Sequence, residues 1–308
     1  MSRPEVVVYG TVALDRFLRV NAQGQPLSEA IWEEKPGGEA LNTALALIGW
    51  GVSVALIGTA TGTDAEGRRL RELMEAEGIS QQGIPQAPDA VTPCCEIRVF
   101  PDGERTMSGR GFAQAIAPPL PEGLFHHQPL VAIDPNLGKS ARAVALTAAS
   151  RRCRVVAMDF AHDPDVVCVA QVLQISEESL RRWGGAQGSP EEVVTALHGQ
   201  GAQFAVLTQG AKGGVVASVR GIQHFTACAI PDALDTTGAG DAFRAGLCYG
   251  LVQRWEQDDT LRFARAAAAC HCRRRGGGSK VPLEEIFSLQ NKSPNFVRSG
   301  AVQPLYRE

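Results

Sequence analysis

A glycine cluster stands directly before an aspartate in the stretch DTTGAGDAF (Asp235–Phe243). Apolar residues recur behind it at helical spacing, at Phe243, Leu247 and Leu251. We therefore predict a helix whose N-terminus is formed by Gly238, Ala239 and Gly240. Free backbone N–H groups at such a terminus bind anions. A carboxylate beside them, here Asp241, suits a reaction in which a hydroxyl loses its proton while phosphate charge is stabilised.

A simpler interpretation of the same residues stays open at this point. Asp241 could be a helix-capping acid, and the glycines could form a tight turn without any ligand. The remaining sequence has to decide between the two.

The elements that must position these residues alternate between strands and helices. A buried strand is predicted at Glu5–Gly10, followed by a helix at Ala40–Gly51 and a strand at Val52–Ala60. A helix capped by Asp64 comes next. After an interruption the alternation returns, with strands predicted at Leu130–Asp134, Arg154–Phe160 and Phe204–Gly210. This order predicts an α/β fold with a parallel sheet and helices on both faces.

The interruption reads as β-structure outside the main sheet. Cys95–Gly109 contains two short strand patterns around the hairpin signal Asp102-Gly103, and the segment Asp15–Lys35 is polar with alternating fragments. We expect the two segments to pair as a small β-lid. The predicted organisation is a single domain over residues 1–308 with lid segments near 15–36 and 92–112.

Composition excludes several classes of protein. A net charge of -3 over 308 residues predicts no nucleic-acid or membrane partner. No apolar run approaches the ~20 residues of a membrane span, and the N-terminal MSRPEVVVYG shows no signal-peptide pattern, so we expect a cytoplasmic protein. Cys270 and Cys272 lie on one predicted helix and point to different sides, so they cannot easily share a metal ion. We interpret the eight cysteines as reduced, mostly structural thiols, consistent with a cytosolic setting.

The DTTGAGD stretch resembles the C-terminal signature of the ribokinase/PfkB sugar-kinase family. The stretch PGGEALNTALALIGWGVSVALIGTATGTDAEGRRLRELMEAEGI resembles the family's N-terminal signature, and the likeness runs from the first strand to near Pro282. The resemblance implies a ribokinase-like parallel-sheet core flanked by helices, with a small β-lid over the sugar. It also implies ATP-dependent phosphorylation of a sugar hydroxyl.

The resemblance assigns roles residue by residue. Asp241 corresponds to the general base, and the amides of Gly238, Ala239 and Gly240 correspond to the anion hole. The sugar-binding positions correspond to Asp15, Gly37, Gly38 and Asn42. The nucleotide-binding turn in LTQGAKGG corresponds to Thr208 and Gly210. Taken singly, Asp15 could be solvated, the paired glycines a loop and Asn42 a cap.

The chain departs from the family in the region of the N-x-x-E motif for magnesium. Here ISEES places Ser176 and Ser179 at the two motif positions. The neighbouring Glu177 and Glu178 are predicted to act on Mg²⁺ instead; the alternative is a pair of helix N-terminal acids capped by Ser176. A monovalent-cation loop is loosely matched by Asp235, Thr237 and RRGGGSKVP.

The leading functional prediction is a sugar kinase that uses ATP and Mg²⁺, with fructose, ribose or a related ketose as the acceptor. One alternative is a nucleoside kinase, although the sequence reveals no apolar pocket for a base. Another is a regulator that binds sugar or nucleotide without catalysis. By analogy with the family, the protein is expected to form a homodimer through its lid.

Overall fold

A computed structural model describes residues 3–27, 33–101, 104–185, 187–278, 280–292 and 297–298. In chain order the strands are β1 (Val6–Gly10), β2 (Ala13–Arg19), β3 (Glu33–Gly37), β4 (Val54–Gly58), β5 (Cys94–Val99), β6 (Arg105–Arg110), β7 (Leu130–Ile133), β8 (Val155–Met158), β9 (Val172–Ser176), β10 (Phe204–Thr208), β11 (Gly214–Ser218), β12 (Gly221–Phe225) and β13 (Val297–Arg298). The helices are α1 (Glu39–Gly49), α2 (Ala65–Ala76), α3 (Lys139–Ser150), α4 (Pro164–Val169), α5 (Glu177–Trp183), α6 (Pro190–Gly199), α7 (Ala239–Val252), α8 (Gln257–His271) and α9 (Leu283–Lys292).

The main sheet has nine strands in the order β13-β12-β11-β10-β9-β8-β7-β1-β4. The six strands from β10 to β4 are parallel, as the sequence predicts, but β11, β12 and β13 are antiparallel. The sheet is therefore mixed. The cause is a tight link between β10 and β11, in which Gly213 adopts φ 96°; so short a connection cannot cross over the sheet and return a parallel strand.

Helix α7 covers one face of this sheet. Its residues Phe243, Ala245 and Leu247 are buried in the same apolar cluster as Val156, Val172 and Val206 of the parallel strands. Gly246 lets the backbone of α8 approach closely, because a Cβ there would lie 2.5 Å from Ala264 Cα. The packing fixes the N-terminus of α7 near the carboxyl ends of the strands, where open α/β sheets bind ligands.

A second sheet of four strands lies in the order β3-β2-β5-β6. It joins the two segments expected to form the lid: β2 pairs with β3 antiparallel and with β5 parallel, and β5 and β6 form an antiparallel hairpin. The predicted turn at Asp102-Gly103 lies outside the described residues. Two residues separate β1 from β2, so the second sheet begins at the edge where the strands of the main sheet end.

All eight cysteines are free thiols. Across the described residues, no three histidine, cysteine or acidic side chains are grouped closely enough to hold a metal ion by themselves. None of the described helices combines the length and apolarity needed to span a bilayer.

Candidate active site

A cleft of about 770 Å³ lies between the carboxyl ends of the main strands and the second sheet. Most of the residues singled out in the sequence form its wall: Asp15, Gly38, Asn42, Glu178, Thr208, Gly238, Gly240 and Asp241. In the described part of the chain, Gly37, Glu177, Gly210 and Ala239 lie within two positions of lining residues in sequence but do not themselves line the cleft. The folding of distant segments thus brings the two signatures to one site.

Asp241 lies in the first turn of α7 and is buried. Its Oδ2 accepts a hydrogen bond of 2.8 Å from the Asn42 side chain, and its Oδ1 lies 3.9 Å from the Arg244 guanidinium. Gly238 occupies the N-cap with φ 79°, and no side chain caps the helix. The capping interpretation of Asp241 therefore does not hold, because the carboxylate faces the cleft and a neighbouring helix.

The N-terminus of α7 presents only part of the predicted anion hole. The Ala239 N–H donates to Thr236 O at 3.2 Å, within a turn. For the N–H groups of Gly238 and Gly240, the described residues supply no acceptor. Both glycines line the cleft, so their amides are available to an anion.

Burial raises the pKa of Asp241 to about 6, while the Arg244 charge and the Asn42 hydrogen bond oppose the rise. Arg244 is completely buried and donates to Thr43 Oγ1 and to the carbonyls of Ile133 and Glu39. Desolvation, followed by nearby carboxylates, also raises the pKa of Glu39 well above its ordinary value. Arg244 is thus a cation held inside an acidic site, and the sequence reasoning missed it.

An acidic corner of the cleft contains Asp159 and Glu178. Asp159 follows β8 with φ 61°, a conformation that aspartate adopts more readily than most non-glycine residues, and burial raises its pKa to about 6. Its carboxylate accepts a hydrogen bond of 3.2 Å from the Ser176 N–H, and this contact and the nearby Ser179 side chain oppose the rise in pKa. Asp159 was not singled out in the sequence, although an acid at the end of the predicted strand Arg154–Phe160 was a usable signal.

The two serines at the altered motif form hydrogen bonds with each other. Ser176 caps α5 by accepting from the Ser179 N–H at 3.0 Å, while Ser179 Oγ lies 3.1 Å from the Ser176 N–H. The structure separates the two adjacent glutamates. The Glu177 carboxylate accepts a hydrogen bond of 2.6 Å from the Gln209 side chain and does not line the cleft. Glu178 does line the cleft, and its negative charge raises the pKa of Asp159.

The acidic corner fits a magnesium ion. Mg²⁺ keeps several waters and binds through one or two carboxylates together with substrate phosphates, so Asp159 and Glu178 supply a sufficient set of oxygens. The predicted monovalent-cation loop forms hydrogen bonds of its own. Asp235 accepts from the Thr237 N–H at 2.8 Å and the Gly276 N–H at 2.9 Å, and the Thr237 carbonyl accepts from His271 Nε2 at 2.7 Å.

The opposite wall of the cleft belongs to the second sheet. Burial, and then the charges of Asp241 and Asp235, raise the pKa of Asp15 to about 8. The Asp15 carboxyl lies flat against Gly37, where a Cβ would come within 1.9 Å of Oδ2. Arg105 of β6 spans the cleft and donates to Thr236 Oγ1, in the turn before α7. Apolar side chains complete this wall: Ile97, Met107 and Phe112.

The predicted nucleotide turn lies at the end of β10. Thr208 lines the cleft and donates through Oγ1 to Ile175 O at 3.2 Å. Gly210 begins a short 3₁₀ helix with φ 58°, a conformation that favours glycine. Thr208 pairs in register with Ser176 of β9, so the turn lies beside the acidic corner.

Comparison with known proteins agrees with this architecture. The profile of the family described as "pfkB family carbohydrate kinase" matches residues 3–284. The chain is 22% identical to a ribokinase of Haemophilus influenzae, covering 92% of this chain and 97% of that protein, and 28% identical to a fructokinase of Klebsiella pneumoniae, covering 81% and 90%. The structure of Arabidopsis thaliana ribokinase complexed with ribose and ATP superposes with a TM-score of 0.76 at 20% identity, covering 94% of this chain and 99% of that one.

Proposed function

Because this chain belongs to the pfkB family of carbohydrate kinases, we propose that its cleft holds ATP beside a sugar and transfers the terminal phosphoryl group to a sugar hydroxyl, with Asp241 as the general base. The single observation that carries the assignment is the position of Asp241. Its buried carboxylate lies in the first turn of α7, directly after the free amides of Gly238 and Gly240.

The proposed step begins with the acceptor hydroxyl. The Asp241 carboxylate takes its proton, and the hydroxyl oxygen forms a bond to the γ-phosphorus of ATP. The bond from the γ-phosphorus to the bridging oxygen breaks, and ADP leaves with that oxygen. A pKa of about 6 keeps most of the Asp241 carboxyl ionised at neutral pH while leaving it basic enough to accept a proton.

The free amides of α7 act on the charge of the moving phosphoryl group. Such donors stabilise charge that develops in the transition state, and the helix dipole adds to the effect. The Gly238 and Gly240 N–H groups are fixed by the packing of α7, so they need little reorganisation when the nucleotide arrives. A bound Mg²⁺ would neutralise phosphate charge at the corner of Asp159 and Glu178.

The acceptor is proposed to lie against the second sheet. At neutral pH most of the Asp15 carboxyl is protonated, so it can donate one hydrogen bond and accept others from sugar hydroxyls. Asn42 has a buried Oδ1 that lacks a partner among the described residues, and this oxygen can accept from a sugar hydroxyl. Fructose, related ketoses and the aldose ribose are the proposed acceptors, and the two curated relatives above are a ribokinase and a fructokinase.

One observation favours a second candidate acceptor. The side chains of Ile97, Met107 and Phe112 give the lid wall an apolar surface of the kind that a nucleoside base could contact. A nucleoside kinase therefore remains the runner-up to a sugar kinase.

The test is ADP release with a panel of ketoses, aldoses and nucleosides, in wild-type protein and in the Asp241→Asn variant. Turnover with a free sugar that is lost in the variant supports the proposal. Turnover only with nucleosides would show that the protein is a nucleoside kinase instead. Nucleotide binding without turnover on any acceptor would indicate a regulator on the same fold.

A further inference from the structure

Gln174 is a buried amide in the middle of the apolar strand β9. It is 2% exposed, and its register partners on the neighbouring strands are the buried Met158 and Val206. A glutamine at such a place loses its contacts with water and has to find hydrogen-bond partners elsewhere. Its side chain reaches the cleft wall beneath the first turn of α7.

One half of the Gln174 amide has a partner. Its Nε2 donates to the carbonyl of Gly240 at 3.0 Å. This contact also fixes the orientation of the amide, since the opposite orientation would set two acceptor oxygens against each other. Gly240 carries one of the free amides and directly precedes Asp241, so the hydrogen bond holds the turn that positions both groups.

The other half has none. Gln174 Oε1 is buried without a hydrogen-bond partner among the described residues. Polyphosphate oxygens cannot satisfy it at neutral pH, because they are acceptors as well. Water can donate to this oxygen, and a cation drawn to Asp159 and Glu178, which line the same cleft as Gln174, would bring its waters into that cleft.

We propose that Gln174 is a positioning residue for phosphoryl transfer. Its Nε2 anchors the first turn of α7 through the Gly240 carbonyl. Its Oε1 accepts a hydrogen bond from a water of the cation that accompanies the nucleotide. The inference rests on the kinase function proposed above and assigns this chain a residue that links the metal corner to the anion site.

Two variants separate the halves of the side chain. Gln174→Leu keeps the approximate volume and removes both hydrogen bonds. Gln174→Glu keeps the acceptor and, in its ionised form, replaces the donor with an oxygen that repels the Gly240 carbonyl. The matched control is Gln223→Leu: Gln223 is a completely buried glutamine of β12 that accepts from Gln257 at 2.9 Å and is not part of the described cleft wall.

The measurements are kcat and the affinity for a non-hydrolysable ATP analogue with and without Mg²⁺, the latter by calorimetry. We expect Gln174→Leu to lower kcat by about 100-fold and to lose most of the Mg²⁺-dependent gain in nucleotide affinity. Gln174→Glu should lose a similar factor in kcat but keep that Mg²⁺-dependent gain. Gln223→Leu should lower the melting temperature without changing either quantity.

Wild-type kcat and nucleotide affinity in Gln174→Leu would overturn the inference, as would equal losses in Gln174→Leu and Gln223→Leu. Should Gln174→Leu fail to fold, Gln174→Glu decides in the same way, by its loss or retention of kcat. Should wild-type protein phosphorylate no acceptor, the proposed function fails. The nucleotide affinities of the variants then still test the role of Gln174.

Discussion

The Asn42 side chain donates a hydrogen bond of 2.8 Å to the Asp241 carboxylate, joining the N-terminal and C-terminal signatures across 199 positions of sequence. The contact ties α1 to α7 at the point where the proposed base faces the cleft. It also leaves Asn42 Oδ1 as the atom available to a sugar. One side chain would thus orient the proposed base and contribute to the proposed acceptor site.

Replacing Asp241 with asparagine should remove the base and preserve most of the shape of the site. We expect kcat to fall by at least ~10²-fold, the loss typical of a missing general base. The nucleotide Kd should change little, because the amides of Gly238 and Gly240 remain. Steady-state kinetics and calorimetry on a variant with a native circular dichroism spectrum check this. A kcat within threefold of wild type would show that Asp241 is not the base.

The activity should depend on the ionisation of Asp241. Its pKa of about 6 lies above the ordinary 3.8, and only the ionised form accepts a proton, so kcat/KM should fall as the pH drops through about 6. The Asn42 hydrogen bond lowers this pKa. Asn42→Ala should therefore move the acidic limb of the profile to higher pH. An unshifted limb in a variant with measurable turnover would mean that another group controls it.

Two glycines of the anion site should respond oppositely to alanine. A Cβ on Gly240 meets only Gln174 Nε2 at 3.9 Å, so Gly240→Ala should keep or raise stability by roughly 0.5 kcal/mol. The new methyl would enter the space proposed for the phosphoryl group, so kcat should drop. Gly238 has φ 79°, and a Cβ there lies 2.5 Å from Gly277 Cα, so Gly238→Ala should cost at least about 2 kcal/mol.

Thermal unfolding and kcat measured on the same two preparations test this pair. Full activity in a stable Gly240→Ala variant would show that the phosphoryl group does not bind at this end of α7. Equal destabilisation of both variants would contradict the steric argument.

Glu178 and Glu177 provide a matched pair for the metal corner. Glu178→Gln should raise the Mg²⁺ concentration needed for half-maximal activity, because the carboxylate lines the cleft beside Asp159. Glu177→Gln should leave it nearly unchanged, since the Glu177 carboxylate is bonded to Gln209. Magnesium titrations at saturating ATP distinguish the two. Equal shifts would indicate that the acids act on α5 rather than on the cation.

Asp15 should make the fold less stable at high pH. Its folded pKa of about 8 lies above the ordinary 3.8, so the folded state retains a proton that the unfolded state has lost between those values. Stability should therefore fall as the pH rises from about 4 to 8. Asp15→Asn cannot ionise and should be more stable than wild type at pH 9, with the advantage shrinking toward pH 4. Urea denaturation of both proteins at a series of pH values tests this. A difference in the free energy of unfolding that stays constant with pH would contradict the prediction.

Local sequence signals predicted much of the framework. The spacing of Phe243 and Leu247 predicted α7, and Gly238 indeed occupies its N-cap. The alternation of strands predicted the parallel core, while the tight turn after Thr208 reversed the edge strands.

Contacts between distant segments could not be read in this way. Arg244 and Gln174 have ordinary helix and strand surroundings, and their importance appears only when the fold places them beside Asp241 and Gly240. Family likeness pointed to Glu177 and Glu178 together. Only side-chain direction at the start of α5 separates them.

The hydrogen bonds around Asp235 make the two ends of the cleft parts of one unit. Lys35 of β3 donates to Arg275 O at 3.0 Å, and the next residue, Gly276, is bonded to the same Asp235 carboxylate that holds Thr237 before α7. With the proposed substrate positions, a sugar bound at the lid strands would act on the turn that receives the phosphates. Coupling between two ligands is reciprocal. If the bound acceptor raises the affinity for the nucleotide by some factor, the bound nucleotide must raise the affinity for the acceptor by the same factor. The order in which the two substrates bind therefore cannot change the overall equilibrium constant for forming the ternary complex; it changes only the intermediate complex.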